Sequence, residues 1–472
     1  MRRTKIVATL GPATREPAAV HDLIEAGVDV FRLNLAHADV TTHRSAAALA
    51  RREADSLGRV IGLLADLPGP KMRTGPVVDD AISLEPGHRF TLDRRWGPGD
   101  ASGVSTTVEN LPDLVHVGEE IFLADGAIIL KVVDIEEDAV HTEVVRRGLL
   151  RSRKGMHVPN AEAKIQAFTE EDRRWLEHAL ELGVDLVGLS FIRDESDIER
   201  VRDAMPKKKP GPLLVAKIET RSAVDHLEGI VRAADAVMVA RGDLGIQMPL
   251  QEVPLLQKEI IQMCNATGTP VITATQMLES MTHGPLPSRA EVNDVANAVL
   301  DGTDALMLSE ETAVGKYPLA TVQTMATIAE RAEREERART GSVRYDKVDD
   351  PVSWAIARAA VHAAEELEVA AILCPTRSGA TARRVAAFRP RMPILGLGHR
   401  DETVRPLALV WGVVPQTVPF VPEEELASVG ISRAVEAARA AGLARAGDLV
   451  AVVAAGPEPR AGSTDFVRIV SC

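Results

Sequence analysis

Eight short runs rich in aliphatic and β-branched residues constrain this chain more than any other feature; they fall at 5–10, 30–35, 61–66, 185–191, 213–219, 236–243, 270–276 and 305–311. Amphipathic stretches separate most of them, which is the sequence form of βαβ units. Eight parallel strands alternating with helices is the number that closes a (β/α)8 barrel, an α/β architecture whose reactive groups sit on the loops after the C-terminal strand ends. Polar residues in these runs gather at those ends: Asn34, Asp66, Lys217, Glu219, Asp243 and Thr275.

Between the third and fourth runs the texture changes. Turn-rich pieces such as Leu84-Glu85-Pro86-Gly87 and Trp96-Gly97-Pro98-Gly99 replace helical periodicity. This predicts a small inserted domain over 72–160, a β-barrel lid able to close over the barrel mouth and exclude water. The barrel then occupies 1–71 and 161–340. A charged run at 330–339 reads as a solvated helix face. A C-terminal α/β domain follows over 341–472, with strands expected at 370–374, 393–397, 413–418, 448–454 and 466–470.

Charge narrows the partners. Lys plus Arg number 55 against 68 Asp plus Glu, a net charge of −13, which argues against nucleic acid or an anionic membrane as a partner. Small anionic substrates then need dedicated basic residues. The three cysteines, Cys264, Cys374 and Cys472, form no CxxC and no disulfide framework, as in a protein of the reducing cytoplasm. No stretch is long and apolar enough to suggest a membrane span or a signal segment.

Chemistry concentrates in two strand ends. In Ala216-Lys217-Ile218-Glu219 the alternation of strand side chains puts Lys217 and Glu219 on one side, where they can address one ligand. Glu219 and Asp243, from neighbouring strands, make a partial cage suited to Mg²⁺, which takes few protein ligands and keeps water and substrate oxygens. A Lys–Glu ion pair at a strand end is the plain alternative. Ala240-Arg241-Gly242-Asp243 offers successive backbone N–H groups at a helix start, where an anionic substrate can approach; a tight βα turn would look the same. Thr275 alone is only a hydroxyl on a strand.

Taken together, these residues resemble the pyruvate kinase family over nearly the whole chain. The resemblance is carried by Lys5-Ile6-Val7-Ala8-Thr9-Leu10-Gly11-Pro12-Ala13, Arg32-Leu33-Asn34 and Lys217-Ile218-Glu219, and by MVARGDLG at 238–245, ATQMLESM at 274–281, RAEVNDVANAVLDGTD at 289–304 and ETAVGKYP at 311–318. It implies transfer of the phosphoryl group of phosphoenolpyruvate to ADP, giving pyruvate and ATP in glycolysis. Lys217 would stabilise the transition state. Glu219 and Asp243 would hold Mg²⁺ or Mn²⁺, Gly242, Asp243 and Thr275 would bind substrate, and Arg32 would contact the transferring phosphate. Arg73 and Lys154, with Asn34 and His37, would serve the nucleotide. Protonation of the enolate is assigned to the neighbourhood of Thr275. A homotetramer is the family's usual assembly.

This chain departs from the family at the monovalent-cation site. Many members hold K⁺ with asparagine, serine, aspartate and threonine; here the positions read Asn34, Ala36, Asp66 and Leu67. Lys71 stands where K⁺-dependent members have glutamate, so the resemblance implies that its ammonium replaces K⁺; a surface lysine beside a drifted loop is the alternative. Ala38 replaces a usual glycine, and Glu310 is a second departure. In the third domain, Thr376, Ser378, Gly379 and Thr381 form a hydroxyl-rich turn before a helix that could cradle the phosphate of a sugar-phosphate or nucleotide effector, or be an N-cap only. The stretch 456–464 resembles the family's effector loop. No P-loop, zinc-protease or complete dinucleotide motif occurs. Two rivals remain: an enolate-forming lyase or mutase, and a non-catalytic metabolite sensor.

Overall fold

The computed structural model describes residues 1–472 except 71, 109, 125, 160–165, 207–210, 336–343, 345–349, 421–428 and 456–462. Lys71 and most of the 456–464 loop therefore lie outside the described residues.

Eight strands close a parallel barrel: β1 (Lys5–Thr9), β2 (Val30–Asn34), β3 (Gly62–Asp66), β4 (Leu186–Leu189), β5 (Leu213–Ile218), β6 (Ala236–Ala240), β7 (Val271–Ala274) and β8 (Ala305–Leu308). The ring shuts where β1 pairs with both β8 and β2. Side chains alternate across the wall. Ile6 and Ala8 face the helices, whereas Val7 joins Val30, Leu64, Val215 and Met238 in the barrel interior. The sixth run is shorter than its sequence suggested. It ends at Ala240 because the helix Arg241–Gln247 begins at once, so Asp243 lies in the first turn of that helix and not on the strand.

Residues 81–157 form a six-stranded sheet and a two-stranded ribbon around one apolar core that includes Phe90, Leu92, Ile121 and Leu130. The small barrel expected here is thus built as two sheets wrapped on a shared interior. The chain's two crossings into this unit run side by side: Arg73 bridges Gly155, and the Met156 amide donates to the Met72 carbonyl at 2.9 Å.

The C-terminal sheet contains β9 (Ala371–Pro375), β10 (Ile394–Gly398), β11 (Val413–Thr417), β12 (Leu449–Ala454) and β13 (Phe466–Ser471), in the order β11-β10-β9-β12-β13. Only β13 is antiparallel. From this unit a short 3-10 helix, Arg405–Leu409, inserts Ala408 and Leu409 into the interior cluster of the barrel and plugs its N-terminal end. Beside the plug, Arg389 donates to the Gly302 carbonyl at 2.7 Å, pairs with Asp304 at 3.2 Å and stacks over Trp411.

The charged run at 330–339 is not simply a solvated face. Glu333 is buried, and its carboxylate accepts the amides of Arg3 at 2.9 Å and Thr4 at 2.6 Å, which anchors the chain's first residues. Residues 336–339 lie outside the described set.

Candidate active site

The C-terminal ends of β2, β3 and β5 bring four charged side chains, Arg32, Asp66, Lys217 and Glu219, into one buried cluster. Arg32 reaches across to β3, where its Nε donates to Asp66 Oδ2 at 2.8 Å and its Nη1 lies 3.3 Å from Thr9 Oγ1. Lys217 Nζ lies 2.7 Å from Glu219 Oε1 and 3.3 Å from Asp66 Oδ1. Asp66 can sit there because its neighbour on β4 is a glycine: a Cβ on Gly188 would fall 2.6 Å from Asp66 Oδ1. The end of β4 completes the brace. Ser190 Oγ accepts from Lys217 Nζ at 2.7 Å and donates to the Leu67 carbonyl at 2.9 Å, while the Phe191 amide donates to Glu219 Oε2 at 2.8 Å.

Burial and charge set the protonation states. Burial works against a charged Lys217, but Asp66 and Glu219 outweigh it and hold its pKa above the usual lysine value. Burial also opposes ionisation of Asp66; Lys217 and Arg32 overcome it and keep the carboxylate below its ordinary value. Glu219 goes the other way. Its burial, with Asp243 adding to it and Lys217 opposing, raises the pKa from 4.5 to about 7. The cluster is thus a cationic lysine facing an anionic Asp66, with Glu219 the carboxylate readiest to exchange a proton for a cation.

One observation tests the divalent-ion set. Glu219 Oε1 is buried and faces Lys217 Nζ at 2.7 Å, one partner for an oxygen that carries two lone pairs. That leaves a lone pair uncommitted, with the charge of Asp243 in electrostatic range. Among the described residues no group of three or more His, Cys, Asp or Glu converges, so two carboxylates completed by water or substrate oxygens is the available set. Hard oxygen donors in small number suit Mg²⁺ or Mn²⁺.

The β6 and β7 ends form the second half of the site. Thr275 follows β7 in the left-handed region, φ 69°, and Gln276 follows at φ 55°. Two such non-glycine residues in succession are uncommon, and each costs about 1–3 kcal/mol. The strain delivers the Thr275 hydroxyl to the Gly242 amide, which donates to it at 2.8 Å. A Cβ on Gly242 would stand 3.6 Å from Thr275 and occupy the space between them.

The remaining sequence candidates lie around the rim. Arg73 and Lys154 are brought to adjacent crossings of the inserted unit: Arg73 Nη1 lies 3.4 Å from the Arg153 carbonyl, and the Lys154 amide donates to Thr74 Oγ1 at 3.1 Å. Lys154 is exposed, as is His37 in the loop after β2, where the Asn34 side chain accepts the Ala36 amide. Ala38 has φ 66°, the backbone region that a glycine would occupy without strain. Glu310 is exposed, whereas Glu311 beside it is buried and accepts the Ser309 amide. Thr376, Ser378, Gly379 and Thr381 stand apart in the C-terminal unit. Thr376 Oγ1 accepts the Gly379 amide at 3.0 Å, and buried Thr381 is bonded to Thr464 at 2.9 Å. The site contains three groups not singled out for it in the sequence: Ser190, Asp66 as the counter-ion of two cations, and Arg241. A polar residue near the end of the fourth run was the available signal for Ser190.

Cations gathered at a barrel mouth, with carboxylate oxygen left for a divalent ion, are what transfer of a phosphoryl group demands, and comparison with known proteins agrees that this chain is a transferase of the kinase class. Residues 1–322 match the family description "Pyruvate kinase, barrel domain" and residues 354–470 match "Pyruvate kinase, alpha/beta domain". A pyruvate kinase of Geobacillus stearothermophilus is 41% identical over 473 residues, covering 99% of this chain and 80% of that one. One from Mycobacterium tuberculosis strain H37Rv is 41% identical over 470 residues, covering 99% and 98%, and one from Thermococcus litoralis is 40% identical over 418, covering 88% of each. The chain belongs to the pyruvate kinase family.

Proposed function

We propose that this protein transfers the phosphoryl group of phosphoenolpyruvate to ADP, releasing pyruvate and ATP, and that it does so without K⁺. The observation that carries the reading is the buried Lys217 ammonium, held between Asp66 and Glu219 beside Arg32. A loose phosphoryl-transfer transition state spreads charge over the equatorial oxygens, and fixed cations in a water-poor site stabilise it without reorganising. Lys217 and Arg32 supply those charges. Glu219 and Asp243 hold Mg²⁺ or Mn²⁺, which when bound would neutralise substrate oxygens. Gly242 and Thr275 take the substrate's carboxylate end, exchanging the hydrogen bond between the Gly242 amide and the Thr275 hydroxyl for bonds to the substrate. After transfer the enolate takes a proton near Thr275. Arg73, Lys154, Asn34 and His37 face the nucleotide, and the 72–160 unit closes over it as a lid on a barrel formed by 1–71 and 161–340.

Independence from K⁺ is supported by Ala36 and Leu67, which offer no side-chain oxygen, and by the two cations that already flank Asp66. Lys71 is assigned as the replacement charge. The 341–472 unit takes a phosphate-bearing effector, a sugar phosphate or a nucleotide, at Thr376, Ser378, Gly379 and Thr381. A homo-oligomer, a tetramer by family habit, is the expected assembly. The enzyme works in the cytoplasm, and no described helix is long and apolar enough to cross a membrane.

The test is initial-rate pyruvate formation from phosphoenolpyruvate, ADP and Mg²⁺, first without K⁺ and then with it. Full ADP-dependent turnover without K⁺ is expected. Turnover only with K⁺ would remove the Lys71 assignment and keep the kinase. No turnover in either buffer, with sugar phosphates or AMP supplied, would favour the sensor or the enolate-forming lyase.

A further inference from the structure

We infer that Arg241 is a positioning residue for this site: its guanidinium holds Thr275 in the left-handed conformation that presents the threonine hydroxyl to the Gly242 amide. The inference rests on the reading of Gly242 and Thr275 as substrate contacts.

The geometry is that of a clamp across two strand ends. Arg241 begins the helix after β6, with Gly242 as its next residue. Its side chain turns toward β7, where Nε donates to the Ala274 carbonyl at 3.2 Å and Nη2 donates to the Thr275 carbonyl at 2.6 Å. Those two carbonyls flank the Thr275 φ and ψ rotations, so fixing both fixes the residue between them. Nη2 also lies 2.8 Å from Met277 Sδ, just beyond the second left-handed residue, Gln276.

The clamp is itself anchored from outside the barrel. Nη1 is 2.7 Å from Asp294 Oδ1, on the helix Arg289–Asp301, and 3.2 Å from Gln257 Oε1, on the helix Val253–Thr267. Gln257 is held in turn by Asp301 at 3.2 Å. One planar fork therefore joins two strand ends and two outer helices. Only a guanidinium has donors enough and rigid enough to do this.

A β-branched residue does not hold φ near +69° unless its surroundings over-determine it. The Thr275 hydroxyl closes the local circuit by donating to the Ala274 carbonyl at 2.6 Å, the same oxygen that receives Arg241 Nε. Loss of the guanidinium frees that carbonyl and the next. Thr275 then relaxes toward ordinary backbone angles and its hydroxyl leaves the Gly242 amide. Arg241 touches neither substrate nor metal in this scheme and acts only through Thr275.

A double-mutant cycle tests it. Arg241→Met and Arg241→Lys are each made alone and with Thr275→Ala, and kcat and KM are measured for phosphoenolpyruvate and for ADP. Either Arg241 variant should lower kcat/KM for phosphoenolpyruvate about 10- to 100-fold, the scale of a misplaced contact, and leave KM for ADP unchanged. Each double variant should fall within about two-fold of Thr275→Ala alone, because a residue that acts through Thr275 has nothing left to position. Effects that multiply, or a wild-type rate in both Arg241 variants, would overturn the inference. So would the failure of both to fold, which would make Arg241 a stability residue. A crystal structure of Arg241→Lys gives a reading independent of turnover: Thr275 should leave the positive-φ region, and a threonine still near +69° would refute the clamp even if the unmodified protein proved inactive with phosphoenolpyruvate.

Discussion

The two ends of the barrel handle buried charge by opposite rules. At the N-terminal end Arg389 is fully committed: it meets Asp304, Asn265, Gly302 and the Trp411 ring, and Asp304 also accepts the Val271 amide at 2.9 Å. Lys5 likewise caps the Val413 carbonyl at 2.7 Å, and the Arg405–Leu409 plug places Ala408 and Leu409 in the barrel interior. At the C-terminal end Lys217 is also buried, but the carboxylate oxygens nearest it, Asp66 Oδ1 and Glu219 Oε1, share that one ammonium between them. Paired charges at one end hold the barrel to its neighbouring unit. At the other end one lysine is shared by two carboxylates, at the strand ends where the substrate is proposed to bind.

The sharpest way to break this comparison is to remove one cation from each end. Lys217→Met keeps the aliphatic stem and deletes the charge. Asp66 retains Arg32, and Glu219, whose pKa is already raised to about 7, can take up a proton. The fold should therefore survive, with a melting temperature within a few degrees of the parent. Turnover should fall about 10³- to 10⁵-fold, the scale for one cation lost from a phosphoryl-transfer site. Near-normal kcat in this variant would remove Lys217 from the chemistry.

Arg389→Ala should do the reverse. It leaves Asp304 buried without its counter-ion, a loss of about 3–5 kcal/mol in unfolding free energy. Asp304 already has a pKa raised by burial, with Arg389 the main opposing influence, so the variant should recover part of that loss as pH is lowered and the acid protonates. Urea unfolding at two pH values checks both points. Protein that remains folded should keep its KM for phosphoenolpyruvate. A changed KM with unchanged stability would mean that the two ends are not divided as described.

How much of this contrast the sequence disclosed follows the same division. The barrel was legible because strand alternation and strand count are local patterns, and the placement of Lys217, Glu219 and Thr275 was legible because they sit at or beside strand ends, where parity tells which way they point. Asp243 was placed on a strand because Val239 and Ala240 continue the apolar run; the helix begins there for reasons of turn geometry that hydropathy does not carry. The N-terminal end was hardly legible at all. Arg389 pairs with Asp304, Glu333 with the amides of Arg3 and Thr4, and the 405–409 plug with barrel strands, all far away along the chain, and such pairings leave no periodic trace. The charged run at 330–339 looked solvated for that reason, although Glu333 is among the buried acids.

The smallest effect concerns the inserted unit, whose last strand, Met156–His157, touches the C-terminal end of the site. His157 Nδ1 lies 3.3 Å from Gln247 Nε2, at the end of the helix that carries Gly242 and Asp243. Burial lowers the His157 pKa from 6.5 to about 4, although Asp243 pulls upward. A depressed histidine means that the folded protein binds fewer protons than the unfolded chain between those two values. Stability attributable to this group is therefore fully present above pH 6.5 and lost progressively as pH falls toward 4. At pH 5 the loss relative to pH 7 should be about 2 kcal/mol, from 1.5 pH units at about 1.36 kcal/mol each. His157→Gln does not titrate and can still bond Gln247, so its unfolding free energy should change less between pH 7 and pH 5 than that of the parent, by about that amount. Equal pH dependence in the two proteins would show that His157 is solvated in the working enzyme. The inserted unit would then rest on the barrel mouth without this contact, and the C-terminal end would be looser than its buried lysine suggests.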